Sequence, residues 1–101
     1  MKAYLVLQLR RGDMISMHKL YSNPAYAWNY LSHVQDTDSS WWKVLEIDEP
    51  NLQPNTPMDI VIRVRWETSN TVKYIGGFIP RNVPPQYDED RYFAETLTLE
   101  N

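Results

Sequence analysis

The chain has 101 residues, of which 43% are hydrophobic and 13% aromatic, and a formal net charge of -3. Surface-to-mass scaling gives about 6,000 Å² folded against about 17,000 Å² unfolded, which allows one domain with a true core and leaves little room for a second domain or a deep catalytic cavity. The absence of cysteine excludes disulfide staples, thiol catalysis and cysteine metal sites, and it fits a reducing compartment.

Residues 1–9 open like a signal peptide, but Gln8 interrupts the apolar run and Arg10-Arg11 closes it without a small-residue cleavage pattern. No stretch reaches the roughly 18 apolar residues that a membrane span requires, so the expectation is a soluble, cytoplasmic protein. Ala3 to Leu9 reads as an apolar strand, Arg10-Arg11-Gly12-Asp13 as a turn, and Met14 to Tyr21 as the returning strand of a hairpin. Ser22-Asn23-Pro24 starts a helix: Ser22 or Asn23 can accept the exposed N–H groups, and Pro24 suits the first turn. Ala27, Leu31 and Val34, flanked by Tyr30, form the apolar stripe of a helix that ends near Gln35, before Asp36-Thr37-Asp38-Ser39-Ser40.

Trp41 to Asp48 is the third predicted strand. It places Trp41, Lys43, Leu45 and Ile47 on one face and Trp42, Val44, Glu46 and Asp48 on the other, which turns acidic and is expected to meet solvent. A polar, proline-bearing connection leads to the cleanest alternation, Asp59 to Glu67, where Ile60, Ile62, Val64 and Trp66 oppose Val61, Arg63, Arg65 and Glu67. A tight connection through Asn70 brings the chain back as Val72 to Ile79. The Gly76-Gly77 pair inside that strand predicts a bulge or a close approach to the backbone. After an irregular, acidic stretch from Pro80 to Asp90, Tyr92 to Leu99 alternates again, as an edge strand or an extended tail within residues 80–101. No repeat appears, and the fold class is α+β in a single domain: a curved, mainly antiparallel sheet of five or six strands with one helix on one face, in the order β-β-α-β-β-β.

Charge is segregated. Residues 1–35 carry a net +3, 36–59 a net -5, 60–79 a net +2 and 80–101 a net -3. Arg63 and Arg65 share a strand face with Lys73 on the neighbouring strand, a patch that can contact phosphates or simply be the solvated face of a hairpin. The acidic segments are too thin in charge for nucleic-acid mimicry. Catalytic spacing is missing: His18 and His33 lack a second ligand, Ser39 and Ser40 lack a nucleophile elbow, and Glu46, Asp48 and Glu49 read as ordinary strand carboxylates. Asp88-Glu89-Asp90 reads as a solvated acidic turn, so neither a metal nor a cofactor is expected.

The aromatics say more. Trp28, Trp41, Trp42 and Trp66 are many for this length. Trp66 belongs to the apolar face of its strand, whereas Tyr26, Trp28, Tyr30 and Trp42 supply an aromatic surface beside the helix. The leading expectation is therefore a non-catalytic protein-interaction domain, an inhibitor or adaptor of a larger protein partner, that uses Tyr26, Trp28, Tyr30 and Trp42. The alternative is a small nucleic-acid-binding accessory protein that uses Arg63, Arg65 and Lys73. A weaker third class is a metabolite enzyme at a dimer interface, and a homodimer would follow if the last strand paired across chains. By context alone, such a chain suits a bacteriophage or mobile element.

Overall fold

A computed structural model of the protein describes residues 2–10, 14–34, 41–49, 52–68, 71–82 and 90–100. Among these residues, six strands and one α-helix follow one another as β1 (Lys2–Arg10), β2 (Met14–Tyr21), α1 (Pro24–Val34), β3 (Trp41–Asp48), β4 (Pro57–Thr68), β5 (Thr71–Phe78) and β6 (Asp90–Glu100), with a 3-10 turn at Pro80–Asn82. The strands form one sheet in the order β3-β1-β2-β6-β4-β5. Every neighbouring pair is antiparallel except β2 with β6, which run parallel and meet at Leu20 opposite Leu99 and Tyr21 opposite Glu100. The fold is thus the expected α+β curved sheet, nearly closed into a barrel.

Asn23 sets the start of α1. Its side-chain Oδ1 accepts from the Ala25 N–H at 2.9 Å, and its carbonyl accepts from the Tyr26 and Ala27 N–H groups at 3.2 and 3.4 Å. Pro24, which has no N–H to satisfy, occupies the first helical position. The cap therefore belongs to Asn23, one of the two residues expected to supply it.

Strand alternation sends two sets of side chains to two different cores. Leu5, Leu7 and Leu9 from β1, Leu45 and Ile47 from β3, and Ile60, Ile62 and Val64 from β4 meet inside the curve of the sheet, joined by Leu20 and Leu99. On the outside, Val6 packs against Ala27 and Leu31 of α1, with Tyr4, Tyr21, Tyr30, Trp42 and Val44 around them. One helix covers one face only, so the sheet curls to bury the other against itself. β1 feeds both cores, which is why it lacks polar alternation and runs buried from Leu5 to Leu9.

The glycine pair marks the seam of the near-barrel. A Cβ on Gly77 would lie 3.0 Å from Ile47 Cγ1 on β3, the other edge strand, and 3.2 Å from Ile62 Cδ1. This is the close approach expected from sequence. On the outer side, Tyr74 and Phe78 close over Gly76.

Three expectations change. The C-terminal strand is neither an edge nor a tail: β6 lies between β2 and β4, and the edges are β3 and β5. Its apolar residues Phe93, Leu97 and Leu99 complete the inner core, so its own sheet takes it up. The Trp42 face of β3 does not simply meet water, because α1 covers Trp42 and Val44 and only Glu46 and Asp48 emerge. Trp66 packs against the core from its margin and is only partly buried. The turns expected at Arg11–Asp13, Asp36–Ser40 and Asn70 lie outside the described residues.

Candidate functional site

The four aromatic candidates do not form one patch. Tyr26 and Trp28 are 50% and 57% exposed on α1, but at about 100° per residue they stand about 200° apart around the helix, on opposite flanks of the buried Ala27. Tyr26 and Tyr30, one turn apart, share the flank that faces β2. There the Tyr21 ring lies 6.4 Å from Tyr26 in an edge-on arrangement and 6.2 Å from Tyr30 at 51°. With Asn29 and His33 the three tyrosines line an open cleft of about 360 Å³. Burial raises the Tyr21 hydroxyl above its ordinary pKa, and the nearby Glu100 carboxylate adds to the effect.

Trp42 sits apart from this cleft, half-buried between sheet and helix. Its ring lies 4.6 Å from the His18 imidazole, and both flank Gln8. Gln8 is buried, and its Oε1 accepts from His18 Nε2–H at 3.1 Å and from Arg10 at 3.3 Å. Burial and the Arg10 charge hold the His18 pKa below its usual value, against a weaker opposing pull from Glu95. Such packing makes Trp42 a supporting residue of the helix-bearing face rather than an exposed contact.

The basic hairpin face is largely spoken for. Arg65 Nε donates to Asp90 Oδ1 at 2.8 Å, and Arg63 Nε lies 3.9 Å from Asp90 Oδ2, with the Asp90 side chain fully buried. The Arg63 guanidinium stacks 4.8 Å from the centroid of Tyr74 and 5.5 Å from that of Phe78, directly across from Gly76. Its pKa is raised chiefly by the nearby Tyr74 hydroxyl, with the Tyr92 hydroxyl and the Asp90 charge contributing less. Only Lys73 of the three expected cations stands on an exposed position.

The carboxylates scatter. Glu46 pairs with Lys2 at 3.2 Å on the outer face, whereas Glu49 turns inward and accepts from Arg81 at 2.7 Å. Glu49 and Arg81, with Met58, Asp59 and Ile79, line a cleft of about 390 Å³ between the β3 end and the β4 start. The Asp59 carboxylate is occupied by the Thr96 hydroxyl. His33 stands exposed in the last turn of α1, far along the chain from any acid of this cleft. Among the described residues, no group of three His, Asp or Glu side chains comes together to hold a metal.

Tyr21, Tyr74, Phe78 and Tyr92 were not among the expected site residues, and Asp90, expected in a solvated acidic turn, is buried instead. Tyr21 had a usable signal: it ends β2 just before the helix cap, and the cap turns the first helical turn back over it. Asp90 had none, because its partners Arg63 and Arg65 are 27 and 25 residues away in the chain and only the β4–β6 register joins them. Compared with protein-family models, curated proteins and solved structures, the chain matches none.

Proposed function

We propose that this protein is a non-catalytic protein-interaction domain, an inhibitor or adaptor that engages a larger protein through the aromatic flanks of α1. The observation that carries the reading is the exposure of two large aromatics on the one helix, Tyr26 at 50% and Trp28 at 57%. Aromatic side chains of this kind are the usual anchors of protein interfaces, and each costs about 2 kcal/mol or more in affinity when truncated at a hot spot. Tyr30 and Tyr21 extend the surface on the Tyr26 side, and Trp42 supports the helix from beneath.

The nucleic-acid alternative loses weight on the same geometry, since Asp90 offsets one of the two arginine charges and Arg63 is stacked in its own aromatic pair. To test the reading, tagged protein is recovered from its native cell, and the wild type is compared with Y26A and W28A variants of unchanged far-UV circular dichroism. A stoichiometric protein partner whose affinity drops about tenfold or more in either variant supports it. A partner held by both variants as tightly as by the wild type removes this surface.

A further inference from the structure

We propose that the cleft between α1 and the end of β2, walled by Tyr21, Tyr26 and Tyr30, is an aromatic cage for an organic cation of the methylated-ammonium class. The proposal deepens the interaction reading and rests on it, naming what part of a partner the Tyr26 flank would receive. Three observations carry it.

The first is ring geometry. Tyr21 stands 6.4 Å from Tyr26 and 6.2 Å from Tyr30, with interplanar angles of 65° and 51°. A cation is attracted to a ring face within about 6 Å of its centroid, so one seated among these rings is within reach of Tyr21 and of its two neighbours. Tilted walls suit a rounded trimethylammonium head. A flat guanidinium instead lies across its rings, as Arg63 does over Tyr74 and Phe78.

The second is space. The cleft is open and about 360 Å³, with Asn29 and His33 completing its wall. That is ample for a trimethylammonium head and the first methylenes of its stem.

The third is charge. The helix dipole favours neither sign along this cleft, since Tyr26 lies in the first turn of α1 and Tyr30 and His33 toward its last. The Glu100 carboxylate acts on Tyr21 from the other side. Lys19 also faces Tyr21 and Tyr30, but its ammonium is tied to Glu100 at 3.2 Å. The charged pair flanking the cleft is therefore neutral as a whole, and the ring faces set the sign.

The test titrates the intact protein with choline and with its neutral isostere 3,3-dimethylbutan-1-ol, following the tyrosine ring protons by NMR. Choline should saturate the Tyr21, Tyr26 and Tyr30 signals and bind at least about fivefold more tightly than the alcohol. Y26A should lose that preference, Y26F should keep it, and E100Q should weaken choline without changing the alcohol. In a second arm, a peptide bearing one trimethyllysine is compared with choline. Tighter binding of the peptide assigns the cage to a partner's side chain, and equal or tighter binding of choline assigns it to a free small cation. Either result supports the cage. No saturable shift with choline or the peptide, or equal binding of choline and the alcohol, overturns it. Loss of the cage would leave partner recovery still sensitive to Tyr26 and Trp28, whereas insensitivity of recovery to both removes the interaction reading itself.

Discussion

Replacing Asp90 by asparagine keeps the side chain's shape and deletes the charge that holds two arginines on the outer face of β4. The Asp90 side chain is 0% exposed, and it takes Arg65 Nε at 2.8 Å and Arg63 Nε at 3.9 Å. Removing one partner of a buried ion pair costs about 3–5 kcal/mol, because the remaining charge stays desolvated. Here the Arg65 side chain is 31% exposed and can turn toward water, while that of Arg63, at 14%, has less freedom. The expected loss for D90N is therefore about 2–3 kcal/mol, just below that range. With an m-value of about 1 kcal/mol/M, the urea midpoint should fall by about 2–3 M. Urea unfolding followed by tryptophan fluorescence reads this directly. Replacing Arg63 as well, in D90N/R63Q, should recover part of the loss, since the less mobile of the two stranded cations is gone. A D90N shift worth less than about 0.5 kcal/mol would refute the buried pair as a source of stability.

Further substitutions test other parts of the account. G77A places a methyl 3.0 Å from Ile47 Cγ1 and 3.2 Å from Ile62 Cδ1, both in the closed core. It should destabilise by about 1–3 kcal/mol, and I47V in the same chain should restore part of that; a neutral G77A in thermal unfolding would mean the seam is loose. N23A removes the side chain that caps α1 and should cost about 1 kcal/mol in thermal unfolding. His18 is pushed below its usual pKa in the fold, so the unfolded chain takes up its proton first as pH falls. Its contribution is fully present above the ordinary value of 6.5 and is lost as pH falls through the folded value. H18Q should therefore flatten the fall in stability over that acid window in pH-dependent urea unfolding, and an unchanged slope would contradict the assignment. Filter binding of single-stranded nucleic acid at low salt should show no retention above background, and R63A/R65A/K73A should leave that result unchanged. Strong, salt-sensitive retention lost in the triple variant would restore the basic-face reading.

Local chemistry made much of the fold legible. Asn23-Pro24 marked the helix start to the residue, and the alternation from Ile60 to Val64 fixed which side of β4 is core. Gly77 was readable as a place of close approach, although Ile47, which approaches it, was not. The place of β6 was hidden for a different reason. Strand order is settled by which edges meet in three dimensions, and the pattern of Tyr92 to Leu99 is the same for an edge strand and an interior one. The candidate site divides along the same line. Tyr26 and Tyr30 could be grouped from helical spacing alone, and the same spacing separates Trp28 from them. Pairing Tyr21 with that flank needed the turn at Ser22-Asn23, and the neutralisation of Arg63 and Arg65 needed a register 25 or more residues long.

The most direct test of the interaction reading is the affinity of the recovered partner for wild type, Y26A and W28A, measured on folded protein of matched circular dichroism. Truncation of either aromatic should weaken the complex about tenfold or more, while the distant surface control K73A leaves it unchanged. Equal affinity across wild type, Y26A and W28A would contradict the account.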